Sequence, residues 1–209
     1  MAKKELVKVR FRGIARYPKL HVPFRYDKGL NKSVEDWKKG KFQIEVVVDP
    51  SDAAIAAQKE AITQAALDAG LKLKSVKNWP WKDETDKETG DETGREIVTL
   101  KMYGSTKDGG KRRVPLFDAK NNPLPKDFRL TSGSEIIVLG AANPFKELGG
   151  GVSLLLNGVQ VVKYVPFVAG NPGFEKLDED GFEYSDEDAD TSDEDDDADA
   201  DEEADEDDF

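Results

Sequence analysis

The sequence predicts a mainly β protein: a small, highly curved β-barrel with one α-helix packed on it, followed by a disordered acidic tail. Several short stretches alternate between apolar and polar residues, with the period of two that is typical of strands facing a core on one side. One Ala-rich stretch has helical character, and turn signals rich in Gly, Asn and Asp separate the strands. The last 35 residues offer almost nothing apolar that a core could bury.

The first half of the chain contains two predicted strands. Residues 5–14 alternate apolar side chains with cations, which predicts a half-buried strand with a basic outer face. Tyr17 and Pro18 are expected to interrupt it, and residues 20–26 to continue it irregularly. After a polar loop, residues 42–48 carry an apolar side chain at every even-numbered position, which predicts the second strand.

One helix is predicted after the second strand. Asp49 is expected to cap it, and Pro50 suits the first helical position, because the N–H that proline lacks would be unpaired there. The Ala-rich run extends to Ala69, and Gly70 favours termination at that point.

The second half is predicted to consist of strands and turns, after a long polar loop at 75–95 that carries Trp79 and Trp81. The predicted elements are, in chain order, a strand at 96–103, a hairpin turn at 108–110, a short basic strand at 112–117, a turn at 121–125, and strands at 135–140 and 152–165. In the last strand, Gly158 is expected to mark a bulge that shifts the parity of the apolar residues.

Charge is divided unevenly along the chain. Residues 175–209 hold 22 acidic residues and one lysine, so their net charge is −21. Residues 1–174 hold 30 basic and 21 acidic residues, a net charge of +9. We therefore expect a folded basic domain at 1–174 and a disordered acidic tail at 175–209. Such asymmetry indicates a nucleic-acid partner.

Composition and motifs argue against several classes of function. The chain has no cysteine, which excludes disulfides and thiolate chemistry. No apolar run approaches the ~20 residues of a membrane span, and the basic start lacks the apolar region of a signal peptide, so a cytoplasmic protein is expected. His21 is the single histidine, and no phosphate-binding or dinucleotide-binding spacing occurs. We expect no catalysis, no cofactor and no bound metal.

Cations and aromatic residues form the candidate binding set. Single-stranded nucleic acid needs cations along its phosphates and flat side chains against its bases. Lys101 and Tyr103 share a parity opposite to the apolar residues of their strand, so both should face solvent. The alternative interpretation is that the strand cations are simply solvated and the tryptophans cover the core. The candidates are Lys8, Arg10, Arg12, Trp37, Trp79, Trp81, Lys101, Tyr103, Lys111, Arg112 and Arg113.

The acidic tail ends on an aromatic residue. An Asp/Glu tract can act as a solubility tail, but Phe209 contributes nothing to solubility. A terminal apolar side chain with its carboxylate suits a pocket on a partner protein. The expected partner-binding residues are Asp205, Glu206, Asp207, Asp208 and Phe209.

In order and spacing, the chain resembles tailed-phage single-stranded DNA-binding proteins that serve a phage-encoded replisome. The similarity runs along essentially the whole length, and its most specific part is the acidic terminus. The matching segments are 1–4, 41–46, 98–103, 133–134, 143–145, 151–156, 158–161 and 203–209.

The resemblance implies a five-stranded OB-fold barrel with a packed helix, of the kind that binds oligonucleotides across one face. It also implies homodimers in some members, strand annealing, and contacts of the tail with the phage DNA polymerase and primase-helicase. It makes Lys3, Lys101 and Tyr103 expected groove residues. Trp79 and Trp81 belong to no matching motif.

We therefore expect a protein that binds single-stranded DNA without sequence preference and acts in phage DNA replication, recombination, annealing and repair in the host cytoplasm. A 35-residue coil spans ~30–35 Å and the domain is roughly 40 Å across, so the tail can reach the basic groove and compete with DNA. Two alternatives stay open: a chaperone whose tail binds cationic proteins, and additional binding of duplex DNA.

Overall fold

The computed structural model describes residues 6–167. Lys3, the end of domain 1–174 and the tail 175–209, with the partner-binding residues predicted at 205–209, lie outside the described residues. The described part contains eight strands and one α-helix. They are β1 (Lys8–Asp27), β2 (Lys32–Glu35), β3 (Lys41–Val48), α1 (Ala53–Asp68), β4 (Trp81–Thr85), β5 (Glu92–Tyr103), β6 (Leu116–Phe117), β7 (Glu135–Phe145) and β8 (Gly151–Lys163).

Five of the strands close into a barrel, as the OB-fold prediction requires. Around the ring, β1 pairs with β3 and β3 with β5, all antiparallel. A short parallel pairing of β5 with β8 closes the ring, and β8 returns to β1 through antiparallel β7. The mainly β fold with one helix is therefore confirmed. β4 extends the sheet beyond β5, and β2 and β6 are short additions.

Strand β1 is longer than predicted. Tyr17 and Pro18 do not end it; they lie inside a single 20-residue strand. Tyr17 has a φ of 44°, and the register against β3 shifts between Arg16 and Lys19. The strand pairs with β7 from Lys8 to Ile14 and with β3 from Ile14 onward, with the irregularity inside the part that pairs with β3. One strand thereby serves two sides of the barrel.

The helix begins later than predicted. Asp52, and not Asp49, is the N-cap: its Oδ1 accepts the Ala54 N–H at 2.8 Å. Asp49 instead accepts the backbone N–H of Ser51 at 2.8 Å, which forms a turn before the helix. Gly70 follows the last turn with a φ of 76°, which confirms it as the terminator.

Two predictions for the second half of the chain are wrong. Residues 75–95 are not a loop, because β4 pairs with the first part of β5 to form a hairpin. A basic strand at 112–117 is reduced to β6, since Arg112 to Pro115 have no strand structure. The parity shift at Gly158 is confirmed, with a register shift between β7 and β8 at Leu139 and Gly140.

The core fills the barrel and extends under the helix. Ile55, Ile62 and Ala66 of α1 are buried against it. The largest side chains with essentially no exposed surface are Phe11, Phe42, Ile44, Ile62, Leu100, Ile136, Leu154 and Leu156. In residues 6–167, no helix has the length and apolar character needed to span a membrane.

Candidate nucleic-acid interface

A cleft of about 490 Å³ lies beside the β5–β8 junction and carries four of the predicted site residues. The β4–β5 hairpin brings Trp81 to one side of it, and Lys101 and Tyr103 enter from the exposed face of β5. The hairpin between β7 and β8 contributes Phe145. The aromatic and cationic walls of the cleft thus come from segments that are far apart in the sequence and that strand pairing brings together.

Two lysines share one wall of the cleft. Lys41 of β3 lies directly opposite Tyr103 of β5, and its Nζ is 4.5 Å from the centre of the Tyr103 ring. Lys101 precedes Tyr103 by two positions on β5 and lies opposite Gln43 of β3. Burial in the cleft lowers the pKa of the Lys101 ammonium, and the charge of Lys41 lowers it further. The charge of Glu45 opposes these two effects, but the net shift of the Lys101 pKa is downward.

Two tryptophans form a stacked pair at the edge of the cleft. The ring centres of Trp79 and Trp81 are 4.9 Å apart, and the ring planes differ by 23°. Both rings also pack against the core. Trp81 lies on β4 and pairs with Val98 of β5. On the other side of the pair, the Asn78 carbonyl accepts the Val152 N–H at 3.0 Å, which attaches the residue before Trp79 to β8. The pair is thus held by the strands on both sides.

A second groove, of about 420 Å³, continues from the first along β1 and β3. Lys41 and Lys101 line both cavities, and Lys19, Phe24 and Tyr26 line the second one. Among the described residues that line the two cavities there is no carboxylate. The two cavities together are lined by cations and aromatic rings. We call this combined lining the cleft face.

The strand cations of β1 lie elsewhere on the barrel. Lys8, Arg10 and Arg12 are exposed, as predicted, but their part of β1 pairs with β7. In the ring of strands, β7 and β8 separate them from β5. Arg12 is engaged with Glu135, whose Oε1 lies 2.6 Å from its Nη2. The structure does not bring these three cations into the cleft.

The remaining predicted residues lie at the end of β5. Trp37 packs edge-on against Phe42, with ring centres 6.1 Å apart, and Lys111 Nζ is 4.7 Å from the Trp37 ring centre. The Arg112 N–H donates to the Gly104 carbonyl at 2.8 Å, just beyond Tyr103. Arg113 lines a different, mainly apolar pocket. Lys111 and Arg112 therefore lie beyond the end of β5 and do not line the cleft face.

Sequence reasoning missed several residues of the cleft face. Lys41 lies at the first position of β3, where it follows the parity of Gln43, and nothing in the sequence indicates that Tyr103 is its partner. Phe24 belongs to the stretch at 20–26 that was expected to be irregular, and Lys19 lies between that stretch and the interruption expected at Tyr17 and Pro18. Phe145 was noted as part of a matching segment only. Their common signal is an outward position on a strand, which becomes informative only when the register is known.

Comparison with known proteins finds similarity in structure but not in sequence. No protein-family model and no curated protein matches the chain. The structure is similar to gp2.5, a single-stranded DNA-binding protein encoded by bacteriophage T7, with a TM-score of 0.55 and 16% identity over 86% of this chain and 100% of that one.

Two further similar structures come from bacteriophage Enc34. One is its single-stranded DNA-binding protein in complex with single-stranded DNA, with a TM-score of 0.56 and 13% identity over 78% of this chain and 98% of that one. The other is a C-terminal truncation of that protein, with a TM-score of 0.55 and 14% identity over 79% and 99%. The resemblance is confirmed at the level of the fold: these three similar structures are phage single-stranded DNA-binding proteins.

Proposed function

We propose that the protein binds single-stranded DNA without sequence preference and that the cleft face is its binding surface. The observation that carries the proposal is the combination of aromatic rings with Lys41 and Lys101 in two cavities whose described lining contains no carboxylate. Cations that follow a strand's phosphates and rings that stack on its bases are the two requirements for such binding.

The chemistry of the cleft face favours single strands over duplex DNA. Tyr103 is 53% exposed, so a base can reach the ring edge and the face that Lys41 does not cover. In a duplex, the faces of the bases are stacked on one another and are inaccessible to such a ring. Every base has a flat face, so stacking does not discriminate between sequences. The fold of the T7 and Enc34 proteins supports the same assignment.

We further propose that the tail regulates this binding and recruits partners. With 22 acidic residues, the segment 175–209 imitates the charge of the ligand, and tethering gives it an effective concentration in the millimolar range. DNA displaces it from the cleft face and leaves Phe209 available to a phage DNA polymerase or primase-helicase. Deleting Phe209 alone should leave DNA affinity unchanged and abolish co-elution with the polymerase.

A role in phage replication, recombination and annealing, and the formation of homodimers, belong to the same proposal. Annealing fits a protein that holds strands through their phosphates and base faces without catalysis. The dimer is tested by light scattering of the full-length protein with and without residues 175–209. A loss of the dimer on truncation would assign the interface to the tail, and its retention would assign it to the barrel.

Titration of tryptophan fluorescence tests the function. Full-length protein should be quenched saturably by oligo(dT) and by mixed-sequence single strands with similar affinities, and more weakly by a duplex of equal length. A chaperone of cationic proteins predicts the opposite pattern, in which the isolated tail carries the binding activity and oligo(dT) has no effect. Absence of quenching and of any gel shift by single strands at low salt would reject the proposal.

A further inference from the structure

The packed face of α1 contains a lysine. Ile55, Lys59, Ile62 and Ala66 are spaced by four, three and four residues, so they lie along one face of the helix. Ile55, Ile62 and Ala66 are buried, and the Lys59 side chain is only 25% exposed. An ammonium in such a position loses much of its hydration, and it is tolerated only with a well-placed partner. Its presence on this face calls for a specific contact.

Lys59 makes that contact with β5, which is paired with β3 on one side and β4 on the other. Its Nζ lies 2.6 Å from Glu96 Oε1 and 2.8 Å from Glu96 Oε2, so one ammonium serves both carboxylate oxygens. The Glu96 side chain is 12% exposed. The same Nζ lies 5.0 Å from the ring centre of Trp81, within the range of a cation–π contact. The ion pair therefore connects α1, β5 and the tryptophan of β4.

Trp81 has two close neighbours at its ring. Trp79 is nearly parallel to it, with ring centres 4.9 Å apart. Lys59 Nζ lies 5.0 Å from the Trp81 ring centre, so an indole and an ammonium both contact this ring. A DNA base that stacks on Trp81 has to compete with both neighbours for the ring. The Trp81 contact covers only one of the two faces of Trp79.

We propose that Trp81 is a positioning residue, held against Trp79 by the Lys59–Glu96 ion pair, and that Trp79 is the tryptophan that stacks on a DNA base. The inference rests on the proposed single-strand function and assigns different roles to two residues that the sequence treats as equivalent. It makes Lys59 important for DNA binding without contact to phosphate. The interaction between helix and hairpin then determines how rigid the stacking surface is.

The test uses the full-length protein and a charge-neutral double variant. Lys59→Met with Glu96→Gln removes the ion pair, preserves side-chain length and leaves no unpaired buried charge. Lys120→Met with Asp127→Asn, both exposed and away from the cleft, is the matched control. In the double variant we expect about fivefold or weaker oligo(dT) affinity with an unchanged dependence on salt, and Lys59→Arg with wild-type Glu96 should retain affinity, because a guanidinium also pairs with carboxylate and indole.

Two readouts separate positioning from direct contact. The exciton-coupled circular dichroism of the stacked indoles, measured without DNA, should weaken in the double variant and persist in the control. Trp79→Phe should remove most of the oligo(dT)-induced quenching, whereas Trp81→Phe should retain it.

Four results would overturn the inference. They are an unchanged dichroism couplet in the double variant, an affinity within twofold of wild type, a salt slope reduced by about 0.7 as for a lost phosphate contact, and quenching that depends on Trp81 and not on Trp79. A wild-type protein that binds no single strand would instead reject the proposed function, while the dichroism would still decide whether the ion pair holds Trp81. If the double variant does not fold, Trp79→Phe and Trp81→Phe still decide which indole stacks on a base, and a loss of affinity in Lys59→Arg would contradict the role of the ion pair.

Discussion

Lys101 and Tyr103 lie two positions apart on the exposed face of β5, and each contributes one half of what a single strand needs. Tyr103 offers a ring and Lys101 a charge, and Lys41 reaches both from the neighbouring strand. Parity along the strand was sufficient to predict that both side chains face outward. It could not reveal Lys41 as their neighbour, because that depends on the register of β3 against β5.

Replacing Lys101 with Met should weaken oligo(dT) binding and reduce the salt dependence. Removing one phosphate contact lowers the magnitude of the slope of log K against log salt by about 0.7 for a single strand. The measurement is a fluorescence titration over a salt series. Lys163→Met, at the exposed end of β8, is the control that removes one positive charge outside the cleft face. An equal loss of slope in both variants would contradict a specific role of Lys101.

The pH dependence of binding should report the same lysine. Burial, and then the charge of Lys41, lower the pKa of Lys101, so its ammonium loses a proton at a lower pH than an ordinary lysine. A bound phosphate favours the protonated form. DNA affinity should therefore fall as pH rises through the region just below the usual lysine pKa of about 10.4. Lys101→Arg stays charged and should move this loss to higher pH; an unshifted profile would assign the loss to another group.

At the scale of elements, the β4–β5 hairpin is the part of the site that the sequence did not predict. Residues 75–95 lack the alternation of apolar and polar side chains that indicates a strand. Polar contacts hold this hairpin instead. Buried Glu84 accepts from Arg16 at 3.1 Å and from Thr93 at 2.9 Å, and its Oε2 lies 2.8 Å from Arg95 Nε. Such a network is invisible to periodicity. The helix and strands β3, β5 and β8 were predicted to within a few residues, since burial dictates their pattern, whereas β1 and β7 are longer than predicted.

The close approach of β8 to Gly140 of β7 gives a stability prediction for a single element. A Cβ added at Gly140 would lie 2.5 Å from the Leu155 carbonyl oxygen and 2.7 Å from Leu100 Cδ2. Gly140→Ala should therefore destabilise the protein by about 1–3 kcal/mol through overpacking. Gly158→Ala is the matched control, because the nearest atom to its Cβ would be at an ordinary 3.4 Å. Urea unfolding measures both, and equal destabilisation would contradict the close approach at Gly140.

At the scale of the whole molecule, function depends on how a closed barrel distributes charge. Closure places the cations of β1 at 8–12 and those of the cleft face on different parts of the ring. The sequence predicted a basic domain and correctly gave its cations an outward direction. The sequence could not show which cations share a surface, because the order of strands around a barrel depends on pairing between distant segments. The cleft face is thus a product of topology more than of any local motif.

If the acidic tail competes with DNA as proposed, removing residues 175–209 should tighten oligo(dT) binding, most strongly at low salt, because salt screens attraction between opposite charges. The measurement is a titration of full-length and truncated protein at several salt concentrations. A full-length variant with the tail carboxylates changed to amides separates charge from chain length and should behave like the truncation. If truncation leaves the affinity at low salt unchanged, the tail does not compete with DNA.

The location of bound DNA tests the central claim most directly. Ultraviolet crosslinking of oligo(dT) to the full-length protein, followed by mass spectrometry of the peptides, identifies the residues that touch bases. We expect crosslinks to Trp79, Tyr103 or Phe145 of the cleft face, and their loss when Lys41 and Lys101 are both replaced with Met. Crosslinks confined to residues 8–12 or 107–113 would contradict it and assign DNA to another surface of the barrel.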